Sequence, residues 1–292
     1  MREKLYGLLG DLPNKNLPIE YKSIALDEND DFFTEHLILS LNGIQNVPAI
    51  FTYPKNKKPP YPVILFSHSH GGLYWMGKQE LLLPAPYGNK TPYAKALSDI
   101  GIAALAIDHW CFGERKGRTE SATYKSMIWK GQVMWGMMVY DSLRAVDYLT
   151  MREDIDKTRI GVTGISMGST MSIWVAALDE RIKTCAEACC LTDFEELEMS
   201  DNLDEHGIYY YVPSLQKHFT MADICKLIAP RPHFATAGIY DSLTPIRGLE
   251  KIKNSNIQGF TLKTYPCGHL ETREMREDLM LFIKTTLLSD NA

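Results

Sequence analysis

Residues 159–170 read RIGVTGISMGST. The first half, RIGVTG (159–164), has the β-branched and small residues of a short buried strand. Ser166 then stands between Gly164 and Gly168, and MSIWVAALD (171–179) continues as an apolar run of helical character. Five residues of the form G-x-S-x-G carry little weight alone, because a serine after a strand is also an ordinary helix N-cap. The sequence becomes informative when the serine falls in a tight strand-to-helix turn. There, flanking glycines allow backbones to approach closely and leave the hydroxyl exposed.

The same strand–helix alternation extends outward in both directions. VILFS (63–67) and IAALAID (102–108) are continuous apolar runs, as expected of strands buried on both faces. YAKALSDIG (93–101) predicts a helix ending at a glycine. A long helix is predicted from about Lys125 to Thr150, its apolar positions Ile128, Met134, Met138, Leu143, Val146 and Leu149 recurring mostly at three or four residues. Beyond Ser166 come a strand at 182–190, a short helix at 221–229, a strand at 232–238, a helix at 245–254, a strand at 260–266 and an amphipathic helix at 271–288. Such alternation implies parallel pairing through helical crossovers. Before residue 61 the pattern differs. A short helix within 1–19 precedes FFTEHLILSL (32–41) and VPAIFTYP (47–54), and the turn residues between these two segments predict an antiparallel hairpin. The expected fold class is α/β: a mostly parallel central sheet of about eight strands, antiparallel N-terminal edge strands, and helices on both faces. Residues 1–292 read as a single domain, with 1–60 supplying the N-terminal helix and edge strands.

Composition narrows the function. The chain of 292 residues is 45% hydrophobic and 23% charged with a net charge of -5, and no run of Lys or Arg exceeds three. This argues against nucleic acid as a partner. No apolar run is long enough to span a bilayer, and the N-terminus lacks a signal-peptide pattern, so a cytoplasmic protein without a membrane partner is expected. The six cysteines form no C-x-x-C pair and are expected to be buried reduced thiols rather than metal ligands.

A serine hydroxyl needs a base, a carboxylate to orient that base, and donors for the oxyanion before it can attack a carbonyl. In an open α/β sheet such groups gather at the C-terminal ends of strands. Asp241, in GIYDSLTP, follows the strand at 232–238, and His269, in YPCGHLE, follows the last strand. Each has an ordinary reading as a turn or loop residue. All three positions together, in the order Ser…Asp…His, are hard to obtain without catalysis. Asp193 and Glu187 are rival carboxylates, ranked behind Asp241. His68, His70 and His109 precede the serine and are candidates to line the site, whereas His36, His206, His218 and His233 have no such placement. One oxyanion donor is the N–H of Met167. The second should come from the loop SHSHGG (67–72); His70 and Gly71 are candidates, and the sequence leaves the inward amide open among Ser69, His70, Gly71 and Gly72.

These segments together resemble α/β-hydrolase esterases of the acetyl xylan esterase and dienelactone hydrolase-like group. The shared features are SHSHGG, DHWCFGER (108–115), DSLRAVDYL (141–149), DKTRIGVTGISMG (156–168), LIAPRPHFATAGIYDSLTP (227–245) and GHLE (268–271). The resemblance spans about Tyr61 to Leu288. It implies Ser166 as nucleophile, Asp241 as acid, His269 as base, and Met167 with the 68–72 loop as oxyanion hole. It also implies short-acyl, acetyl-type ester substrates. Three positions depart from the group: Ser169 where many relatives have a second glycine, Cys111 where the acidic-glycine loop usually has Gly, and Ser166 in place of the dienelactone hydrolase cysteine.

Residues 71–92 and 191–220 are longer than ordinary connections and are expected to shape a pocket. Tyr74 in the first and Trp110 after the 102–108 strand are candidate walls. The expected substrate is a small-molecule ester, with no cofactor and no metal required, and a homo-oligomer is left open. The competing readings are a serine peptidase or acylaminoacyl-type hydrolase, and a non-catalytic binding protein on the same fold.

Overall fold

The computed structural model describes residues 1–84, 86 and 88–289. Its centre is one nine-stranded sheet: β1 (Glu20–Glu28), β2 (Phe32–Ser40), β3 (Val47–Pro54), β4 (Tyr61–Ser67), β5 (Ala103–Ile107), β6 (Ile155–Ile165), β7 (Ile182–Ala188), β8 (His233–Gly238) and β9 (Phe260–Tyr265). The spatial order is β1-β2-β3-β5-β4-β6-β7-β8-β9. β1, β2, β3 and β5 pair antiparallel in succession, and every pairing from β5–β4 to β8–β9 is parallel.

The ninth strand is β1, which has no counterpart in the sequence expectation. All nine of its residues are exposed, so no burial periodicity marks it in the sequence. It is held by its ladder to β2 and carries Glu20, Lys22, Asp27 and Glu28 on an open sheet edge, where charge discourages further strand pairing.

The central strands show why they read as unbroken apolar runs. In β4, Val63 and Leu65 enter one core cluster, while Ile64 and Phe66 enter the cluster on the other face. α4 (Met134–Met151) and α5 (Met167–Leu178) pack on the first face through Met138, Val146, Met171 and Trp174. α2 (Tyr93–Asp99) and α9 (Arg273–Leu288) cover the second through Leu97, Met275, Leu279 and Ile283. Each such fully buried side chain contributes on the order of 1.5–3 kcal/mol of transfer free energy.

The single helix expected at 125–150 is two. α3 (Glu120–Ile128) ends, the chain turns through Gly131 at φ 72°, and α4 begins at Met134. The turn separates α4, which lies along the core, from α3, which enters the core through Met127 and borders a cleft with Glu120 and Ser121. The spacing of Ile128 and Met134 in the sequence spans this break.

β4 has β5 on one side and β6 on the other, so successive connections leave it in opposite directions. A crevice opens at such a switch point, at the C-terminal ends of the strands. Ser67 ends β4 and Ile165 ends β6, which puts the SHSHGG loop beside Ser166.

Candidate active site

Ser166 sits between β6 and α5 with φ 57° and ψ −118°, a conformation that side-chain-bearing residues rarely adopt. The turn is held by the Ser166 N–H donating to the Ala188 carbonyl and by the Ser169 and Thr170 N–H groups donating to the Ser166 carbonyl. The flanking glycines are steric requirements. A Cβ on Gly168 would lie 1.9 Å from the Ser67 carbonyl oxygen, and one on Gly164 would lie 2.5 Å from the carbonyl oxygens of Ser67 and Gly168.

The Ser166 Oγ lies 2.8 Å from His269 Nε2, and His269 Nδ1 lies 2.7 Å from Asp241 Oδ2. Asp241 is buried, His269 is half-buried and Ser166 is half-buried, so the chain runs from the interior outward. The Leu243 N–H occupies the other Asp241 oxygen at 2.9 Å. The carboxylate therefore has one oxygen left to accept the Nδ1 proton, which leaves Nε2 free to accept from the serine. The loops bearing Asp241 and His269 are tied by the Tyr240 N–H donating to the Cys267 carbonyl. They pass so closely that a Cβ on Gly238 would meet that carbonyl oxygen at 2.3 Å.

The rival carboxylates are engaged elsewhere. Asp193 caps α6 (Phe194–Met199) and bonds Lys251 Nζ at 3.0 Å. Glu187 lies buried in β7, where it accepts a hydrogen bond from Ser169 Oγ. Ser169, one of the three departures, thus has a partner that a glycine could not satisfy. Cys111, another departure, has φ 73°, the left-handed backbone that glycine adopts most readily. No disulfide forms, and burial pushes the Cys190 thiol up to about 12 and Cys189 well above its usual range. Neither is a competing nucleophile near neutral pH.

Of the four loop amides considered for the oxyanion, two are engaged. The Ser69 N–H donates to Glu80 Oε2 at 2.8 Å, and the Gly72 N–H to His70 Nδ1 at 3.1 Å. The His70 and Gly71 N–H groups have no hydrogen bond among the described residues. Met167 N–H opens α5, in the first turn where helix amides lack an intrahelical acceptor.

His68 and His109 are buried behind the loop rather than in the crevice. His68 Nδ1 donates to the Ser69 carbonyl, and its Nε2 accepts from the His109 N–H. Burial holds His68 down at about 4, and it is neutral near pH 7. The motif DHWCFGER is organised by Asp108, whose carboxylate is buried. It accepts from the Lys78 N–H, the Lys78 ammonium and the Glu114 N–H at 2.8–2.9 Å. The pair pins the 71–92 segment to the loop after β5; Ala85 and Tyr87 of that segment lie outside the described residues.

A cleft of about 860 Å³ is lined among others by Tyr74, Glu120, Asp204, His206 and Tyr211; Ser166, His269 and Asp241 do not line it, and it is tied to their loops through Glu120 and His206. Tyr74 and His70 both bond Glu120 Oε2, at 3.1 and 2.7 Å, and the His70 ring stacks on Tyr209 at 5.2 Å. Burial and the Glu120 charge push the Tyr74 hydroxyl up to about 12. Trp110 lies instead against a neighbouring cavity. His206, given no role from sequence, bonds the Leu243 carbonyl at 3.0 Å and bridges the cleft to the Asp241 loop. Glu120, Glu80 and His206 lack any local sequence signal because each acts on a segment about ten to fifty residues away. Among the described residues, no group of three or more His, Cys, Asp or Glu is placed to hold a metal ion, and no helix is long and apolar enough to cross a membrane.

Fold and site geometry together define an α/β-hydrolase esterase, and comparison with known proteins agrees. The acetyl xylan esterase (AXE1) family matches residues 35–218, a span that includes Ser166 but ends before Asp241 and His269. The chain belongs to this family and is a carboxylic ester hydrolase. It is 44% identical over 295 residues to "Putative hydrolase YtaP" of Bacillus subtilis (strain 168), covering 98% of both chains. Among solved structures it resembles acetyl xylan esterase 1 from Thermoanaerobacterium sp. JW/SL YS485, with TM-score 0.62, 16% identity, and 97% and 98% of the two chains covered. A glucuronoyl esterase from Solibacter usitatus gives TM-score 0.70 at 14% identity, covering 98% of this chain and 92% of that one.

Proposed function

We propose that the protein hydrolyses short-acyl, acetyl-type carboxylic esters through an acyl-enzyme on Ser166. The observation that carries this reading is the unbroken hydrogen-bonded chain from Ser166 through His269 to the buried Asp241. Ser166 Oγ attacks the ester carbonyl carbon as its proton passes to His269 Nε2. The resulting oxyanion accepts from the Met167 N–H and from an amide of the His70–Gly71 pair. Collapse of the tetrahedral intermediate breaks the bond to the alcohol oxygen, which leaves with the Nε2 proton. Water then attacks the acyl group, giving its proton to Nε2. The Oγ–carbonyl bond breaks, the acid departs and Ser166 regains its proton. Asp241 holds the imidazole in the tautomer that makes both transfers work.

A fluorophosphonate probe should label wild-type protein and fail to label Ser166→Ala. The variant should fold normally yet lose about 10³-fold or more in kcat on p-nitrophenyl acetate. Full turnover by Ser166→Ala, or an unlabelled but folded wild type, would refute the mechanism. A series of p-nitrophenyl esters of rising chain length, run beside an acetylated sugar and a peptide amide, tests the acyl preference and separates an esterase from a peptidase.

A further inference from the structure

A second cavity, of about 530 Å³, adjoins the cleft and shares Cys111, Lys116 and Arg118 with it. Its lining has an unusual charge for a chain of net charge -5: Arg115, Lys116, Arg118 and Lys130 are present, and among the described residues no Asp or Glu lines it. Arg115 is compensated, since its Nη1 lies 2.8 Å from the buried Asp141 Oδ2. Even so, its Nε and Nη2 have no hydrogen-bond partner among the described residues, and its guanidinium lies over the Trp110 ring at 4.6 Å. Lys116, Arg118 and Lys130 make no ion pair among the described residues. The carboxylate of Asp11 sits close to Gly131, next to Lys130, but is not part of the lining. Three uncompensated cations around one concave space raise the local potential and favour an anion entering it.

We propose that this cavity is an anion subsite that holds a carboxylate or similar anionic group borne by the alcohol part of the ester. The proposal rests on the esterase reading only for the source of the anion; the site itself is defined by the cations and the cavity they share. A free small anion acting on the enzyme from the same place would use the same chemistry.

Two measurements separate these cases. The first is calorimetric titration of glucuronate and of inorganic sulfate into wild type, Lys130→Glu and Arg118→Gln at low ionic strength. This readout does not depend on catalysis, so it stands even if Ser166 proves not to be the nucleophile. Binding that weakens about tenfold or more in either variant, and also with added salt, supports the subsite. The second compares acetylated glucuronic acid with acetylated glucose. A rise in KM confined to the acidic ester in Lys130→Glu assigns the anion to the substrate. Sulfate that alters turnover of the neutral ester in wild type but not in Lys130→Glu assigns it to a free effector. Absence of anion binding at millimolar concentration, or binding and KM unchanged in both variants, overturns the proposal.

Discussion

At Ser166 the backbone is held in a conformation costing on the order of 1–3 kcal/mol, and the surrounding contacts maintain it. Gly168 carries much of that task, because its missing Cβ is the space into which the Ser67 carbonyl fits. Gly168→Ala should therefore move the SHSHGG loop away from α5. The expected result is a loss of about 1–3 kcal/mol or more in urea unfolding together with a fall in kcat on p-nitrophenyl acetate. An alanine variant with native stability and native turnover would show that the close approach is not needed. The glycines of G-x-S-x-G were legible in the sequence because a steric need of the turn is met by its own residues. The Ser169–Glu187 bond was not, since its partners lie 18 residues apart on different elements.

At the scale of elements, the loop after β4 is set by a carboxyl from a different segment. Glu80 Oε2 accepts from both the N–H and the Oγ of Ser69, at 2.8 and 2.6 Å, and turns that amide away from the crevice. Burial is the main cause that pushes the Glu80 carboxyl up to about 7, against the hydrogen bonds from Ser69. A carboxyl whose pKa is raised on folding favours the folded state while protonated. That contribution fades as pH rises from about 4.5 through 7. Glu80→Gln stays neutral throughout and keeps an acceptor for Ser69. The unfolding free energy of the variant relative to wild type should rise between pH 5 and 8, by at most about 3 kcal/mol. A difference flat across that range would mean that Glu80 does not titrate there. Elements whose burial is periodic, such as β4, β5 and α9, could be read from sequence. β1 and the break between α3 and α4 could not, because one buries nothing and the other is imposed by where two helices must lie.

Across the whole molecule, buried histidines oppose Glu80. Burial lowers His68 to about 4, and it lowers His109 well below and His206 below the usual histidine value. A base whose pKa falls on folding costs stability as acid protonates the unfolded chain, here between about pH 6.5 and 4. His68 and Glu80 shift in opposite senses, and His109 and His206 add to the side of His68. Stability measured by urea unfolding should fall as pH drops from 7 to 5. Among the described residues both ring nitrogens of His109 lack a hydrogen-bond partner, so His109→Phe removes an unsatisfied buried polar group at little cost in shape. It should be at least as stable as wild type at pH 7 and more stable at pH 5. A variant that loses stability at both values would assign His109 a partner or role beyond packing.

By itself the sequence determined the parallel architecture, the strand–turn–helix around Ser166, and the positions of Asp241 and His269 at strand ends. Each of these is written in the spacing of neighbouring residues, where strand, helix and turn chemistry act over a few positions. Only the tertiary structure decided that Glu80 holds the SHSHGG loop, that His206 and Glu120 face the cleft, that Trp110 lines a neighbouring cavity, and that Lys116, Arg118 and Lys130 around it make no ion pair among the described residues. Those juxtapositions depend on which distant segments the two cores press together, and no local pattern of side chains encodes that distance.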